Sequence, residues 1–151
     1  MKVIAPEEII WMKGFIQERE RFDGADIIHL IQSCAETIEW THLRDRFGED
    51  WRVLFSHLVL FGYVFRSERH RVPEKLMREL GERLRQENSA APGDKVCRGT
   101  LLSRAQYLPD VNERAYRDAR IEPRTRMEQK DVAHWTAAID EEQVDVPASC
   151  E

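Results

Sequence analysis

The chain has 151 residues, 42% of them hydrophobic and 34% charged, with a formal net charge of -5. That length suits one domain, or one domain plus an extension, with enough apolar residues for a core. The charge argues against a dedicated nucleic-acid coat, and the longest apolar run, Val53 to Phe65, falls short of the roughly 20 residues a membrane-spanning helix needs.

In chain order, Met1 to Ala5 is short and apolar and reads as a strand stub. Pro6 suits a first helical position, and Glu7 and Glu8 favour the positive end of a helix dipole. Ile9, Met12 and Ile16 form one apolar stripe, widened by Trp11 and Phe15. Lys13, Gln17 and Arg21, four residues apart, line a separate polar edge of the same helix. Asp23-Gly24 breaks it. Asp23 then reads as the N-cap of a second helix with Asp26 at its third position, and that helix buries Ile27, Leu30, Ile31 and Cys34.

A third helix runs from Glu39 to Phe47, with Trp40 and Leu43 inward and Gly48 past its end. A fourth, about Glu49 to Phe65, has the stripe Leu54, Leu58, Phe61 and Phe65 and is apolar almost all round, so it is expected to be central and covered. Arg66 to Arg71 reads as a polar loop. Pro73 opens a fifth helix to about Glu87, with Leu76, Met77, Leu80 and Leu84 inward.

Ser89 to Asp94 is the clearest linker. Beyond it the periodicity weakens, with helical turns near Ser103 and Asp110 and a helix from about Met127 to Ile139 that places Val132 and Trp135 on one face. The fold class is therefore mostly α: a bundle of about five helices with an irregular C-terminal extension ending in one helix. The organisation is a helical domain over residues 1–88, a linker over 89–94, an arginine-rich segment plus terminal helix over 95–139, and an acidic, frayed tail over 140–151. From Glu128 onward there are seven acids and one lysine.

The three cysteines, Cys34, Cys97 and Cys150, are far apart and form no CxxC. With no signal-peptide pattern, they suggest a reduced cytoplasmic protein. The five histidines (His29, His42, His57, His70, His134) show no HxxxH or HExxH spacing, so no metal site is expected. His57 reads as a hydrogen-bonded core residue. Cys97 before Arg98 reads as a buried thiol or as one with a lowered pKa.

The stretch Glu7 to Asp26 places Lys13 on a helix, then Arg19 and Arg21, then Asp23 and Asp26 opening the next helix. It resembles the nucleotidyltransferase superfamily of polymerase-β-like fold. The segments Phe47 to Gly62 and Cys97 to Tyr107 are similar to the C-terminal part of bacterial nucleotidyltransferase family proteins, a resemblance covering roughly residues 4–139. It implies that Lys13, Arg19 and Arg21 contact nucleotide phosphates and that Asp26 orients or deprotonates an acceptor. The superfamily also uses a Gly-Ser turn and an Asp-x-Asp/Glu pair on a strand. This chain has no Gly-Ser dipeptide, and its carboxylate pairs fall on expected helices or in the tail.

Phosphoryl-type transfer rests on metal and positioned charge. The expectation is thus a C-terminal fragment or non-catalytic half, inert alone, with Mg²⁺ and nucleoside triphosphate engaged only beside a complete catalytic domain. Whether it is an enzyme stays open. The partner would be a separate catalytic chain or a second copy. The alternatives are a helical interaction or dimerisation module, and weak nucleic-acid binding through residues 98–126, where Tyr107 and Tyr116 lie among arginines. Asp110, Glu113, Asp118 and Glu122 dilute that charge, and arginines tying the segment to carboxylates of the helical body is the plainer reading. Lys13 also reads as a solvated helix residue, Asp23 and Asp26 as caps, and Arg19 and Arg21 as solvating a helix end.

Overall fold

The computed structural model describes residues 4–18, 21–91, 93–121 and 128–134, without the side chain of Arg104. The chain is mostly α-helical and divides into two compact units, Met1–Pro92 and Gly93–Glu151. Among the described residues no helix is long and apolar enough to cross a membrane.

The first unit holds α1 (Pro6–Gly14), a hairpin of β1 (Gln17–Glu18) and β2 (Arg21–Phe22), then α2 (Gly24–Cys34), α3 (Trp40–Phe47), α4 (Trp51–Val64) and α5 (Glu74–Ser89). A 3-10 turn over Gly48–Asp50 precedes α4, and Arg66–Arg71, expected as loop, is a second such turn. Helix α4 packs against all four other helices of the unit. Its residues Trp51, Leu54, Leu58 and Phe61 recur at helical spacing and are buried. They meet Ile10 of α1, Ile27 and Ile31 of α2, Leu43 and Phe47 of α3, and Leu76 and Leu80 of α5. Each such side chain contributes about 1.5–3 kcal/mol by leaving water. The expected stripe of α4 is present, but its last member, Phe65, is only half-buried. The helix is not covered all round either, because Val59, Tyr63 and Val64 are exposed.

Helix α1 departs from the expected pattern. Pro6 does occupy its first turn, but the helix stops at Gly14 rather than running to Asp23. Its inward face is Glu7, Ile10 and Gly14, and Met12 of the expected stripe is 48% exposed. Two contacts set this rotation. A Cβ at Gly14 would stand 2.8 Å from the ring of Phe47, so glycine admits that ring. The buried Glu7 carboxylate accepts the backbone N–H of Glu39, the residue that leads into α3. Gln17 and Arg21 consequently sit on the hairpin, not on a helix edge shared with Lys13.

Helix α2 buries Ile28 beside Ile27 and Ile31, while Leu30 and Cys34 are half-buried. Gly48 closes α3 at φ +49°, a conformation that suits glycine. The strand stub expected over Met1 to Ala5 falls partly outside the described residues, and Ile4 and Ala5 belong to no strand.

In the second unit β3 (Val96–Cys97) pairs in parallel with β4 (Arg117–Asp118). Between them lies α6 (Arg104–Asn112), a nine-residue helix where only turns were expected. The Ser103 hydroxyl caps it by accepting the Gln106 N–H at 3.3 Å. Residues 129–134 are helical with Val132 buried. Trp135, Ile139 and the acidic tail lie outside the described residues.

Candidate functional site

Lys13 stands in the last turn of α1, where a cation opposes the negative end of the helix dipole. After Gly14 the chain folds back through the hairpin, whose register pairs Gln17 with Phe22 and Glu18 with Arg21. The Asp23 N–H donates to the Ile16 carbonyl at 3.1 Å, which sets the start of α2 beside the end of α1. Lys13 Nζ then donates to Asp23 Oδ2 at 2.7 Å and to Asp26 Oδ2 at 2.6 Å.

The capping reading of these aspartates is corrected in part. Asp23 does hold the N-cap position of α2, with Asp26 third in the helix, but its side chain makes no capping hydrogen bond. The carboxylate turns to the ammonium instead, a bond in which both partners are charged. The two aspartates are not equivalent: the Asp23 side chain is 13% exposed and that of Asp26 58%. Hydrogen bonding to Lys13 holds the Asp23 carboxyl below the usual carboxylate range. The same bonds, Asp23 first and Asp26 second, raise the Lys13 pKa. Lys13 and Asp26 border a shallow cleft of about 340 Å³, with Ile9, Leu30, His29 and Ser33.

Beneath this triad lies His57 of α4, 2% exposed. Its Nε2–H donates to the Gly14 carbonyl at 3.2 Å, and the Gln17 amide donates to the same oxygen at 2.8 Å. The Phe22 ring stacks on the imidazole, centroids 6.2 Å apart. His57 thus supports the residue after Lys13 and touches the residue before Asp23. Its Nδ1 has no hydrogen-bond partner among the described residues. Burial lowers the His57 pKa, against the opposing pull of the Gly14 carbonyl. The sequence indicated a core histidine but gave no sign of its link to the hinge. Glu7 was missed as a buried residue, and its spacing with Ile10 and Gly14 was the available signal.

Of the other expected site residues, Arg21 is exposed and its Nε lies 3.6 Å from Asp23 Oδ1. Arg19 lies outside the described residues. In the second unit Arg114 pairs with Asp110 at 3.0 Å, Arg117 with Asp94 at 2.9 Å and Arg120 with Asp118 at 2.5 Å. Those three carboxylates lie in the second unit. Cys97 is buried, and its sulfur accepts the Gly99 N–H at 3.4 Å.

The described residues around Lys13 do not fit a magnesium ion. Both aspartates close on the Lys13 ammonium. No group of three or more metal-ligating side chains occurs among the described residues. No protein-family model matches this chain, and no curated protein or solved structure is significantly similar to it.

Proposed function

We propose that α1 and α2 form the helical wall of a nucleotidyltransferase-like phosphate site, with the metal-binding carboxylates supplied by a separate polypeptide. The observation that carries the reading is the meeting of Lys13 with both Asp23 and Asp26 at 2.6–2.7 Å on the border of an open cleft. Lysine is a compact cation suited to phosphate oxygens. The exposed Asp26 is the partner that an incoming triphosphate displaces, while the enclosed Asp23 keeps Lys13 aimed. Once released, Asp26 accepts a hydrogen bond from an acceptor hydroxyl.

The test is a nuclear magnetic resonance titration of the whole chain with inorganic triphosphate and with ATP. The expected result is a saturable shift at Lys13 and at the amides of Asp23 and Asp26, absent in Lys13→Ala, without nucleotide transfer by the chain alone. Unchanged spectra at millimolar triphosphate, or equal shifts in Lys13→Ala, would remove the proposal.

A further inference from the structure

A second concavity lies away from Lys13, between the exposed face of α4, the Arg66–Arg71 turn and the start of α5. It encloses about 750 Å³, within the roughly 300–1,000 Å³ usual for small-molecule sites. Behind it lies core, since Leu58, Phe61 and Val72 are buried, and the apolar surface open to the cavity comes from Val59, Tyr63 and the half-buried Met77. Gly62 forms one wall, and a Cβ there would come within 3.3 Å of Arg69 Cγ, so the absent side chain lets the arginine stem lie against the helix.

The rim carries the charge. Arg69 is oriented by its Nε–H, which donates to the Arg66 carbonyl at 3.0 Å. Among the described residues neither Arg69 nor His70 is paired with a carboxylate, whereas neighbouring Arg71 is bound to Glu68 at 2.8 Å. The one acid on the rim, Glu74, is engaged by Arg78 at 2.7 Å. An apolar lining thus sits beside two bases, and the nearby acids Glu68 and Glu74 each pair with another arginine.

We propose that this cleft binds a small anionic amphiphile, an apolar chain ending in a carboxylate, with the chain on Val59, Tyr63 and Met77 and the head on Arg69 and His70. The proposal stands independently of the Lys13 site. The guanidinium N–H groups beyond Nε form the directed contact, since arginine presents a planar fork that matches a carboxylate.

The test titrates the whole protein with decanoate, decanol and decyltrimethylammonium below their micellar concentrations, followed by amide shifts. Decanoate is expected to bind saturably, with shifts confined to residues 58–77, and about tenfold more tightly than the other two heads, the loss expected for one charged contact. Arg69→Gln should abolish that preference while leaving decanol binding in place. Val59→Asp, on the exposed rim, should weaken decanoate most. Equal binding of the three heads, or no saturable shift with any of them, overturns the proposal. So does a sedimentation result showing that a second copy already covers this face, or binding to phosphatidylglycerol vesicles without binding to monomeric decanoate.

Discussion

His57 donates to the carbonyl oxygen of Gly14, 43 residues earlier in the chain, at 3.2 Å. This bond joins the central helix to the point where α1 ends and the hairpin begins. Because a carbonyl only accepts, it fixes the Nε2–H tautomer and leaves Nδ1 as a buried acceptor. Protonation would place a second N–H, and a charge, where no acceptor waits.

The expected pH dependence follows from that. Burial places the folded pKa of His57 below its ordinary value of 6.5. The unfolded chain therefore binds more protons between the two values, so the contribution of this group is fully present above pH 6.5 and is lost as pH falls below it. Urea midpoints measured at about pH 7.5 and about pH 5.5 should drop on acidification in the parent chain. The drop should be smaller in His57→Leu, which has no proton to gain. His57→Ala, which empties the ring's volume, should cost about 2–3 kcal/mol at neutral pH. An identical acid response in parent and His57→Leu would show that His57 does not titrate this way.

Two glycine substitutions should act with opposite signs. At Gly14 an added methyl meets the Phe47 ring at 2.8 Å, and that ring is itself stacked on Phe15 with centroids 5.6 Å apart. Gly14→Ala should therefore destabilise by about 1–3 kcal/mol through overpacking. At Gly81, inside α5, nothing stands within 4 Å of the built Cβ. Gly81→Ala should stabilise by about 0.5–1 kcal/mol through helix propensity. Thermal or urea unfolding of both variants reads the two signs directly.

Glu7 offers a third test. Its carboxylate is buried and accepts the N–H of Glu39. Glu7→Ala leaves that donor without its partner and should cost about 1–3 kcal/mol. Glu7→Gln keeps a carbonyl acceptor in the same place and should lose less. Equal losses in the two variants would mean that packing, not the hydrogen bond, sets the value of this position.

The helices were readable where a long period met no competitor. In α4 the apolar residues repeat over a 14-residue helix, and the stripe from Leu54 to Phe61 lies in the core as its spacing implies. The end of α1 was not readable. Its stop depends on a ring contact at Gly14 and on a hairpin with two residues in each strand, too short for an alternating pattern. Helix α6 was hidden by Pro109, which removes one backbone donor but is accommodated in this short helix. At the site, the positions of Asp23 and Asp26 at the start of α2 were legible as capping residues. The partner actually chosen was not, because a capping pattern records only nearby backbone donors. Lys13 arrives from ten residues upstream, and only the fold of the hairpin brings it there.

The unequal exposure of the two aspartates gives the last prediction. Asp23 is enclosed at 13% side-chain exposure, and its pKa is depressed chiefly by its hydrogen bond from Lys13. A depressed carboxylate stabilises above its ordinary value of 3.8, and the contribution is lost as pH falls below that value through the folded pKa. Asp23→Asn should therefore lower the melting temperature at neutral pH and flatten the acid limb of the stability profile. Asp26 bonds the same ammonium, but water reaches it, and exposed pairs contribute little and are screened by salt. Asp26→Asn should leave the melting temperature close to that of the parent chain. Such a division of labour, one aspartate holding Lys13 and the other free to leave it, is what displacement by a triphosphate requires. If Asp26→Asn destabilises as much as Asp23→Asn, both carboxylates are structural and Lys13 is a clamp between α1 and α2.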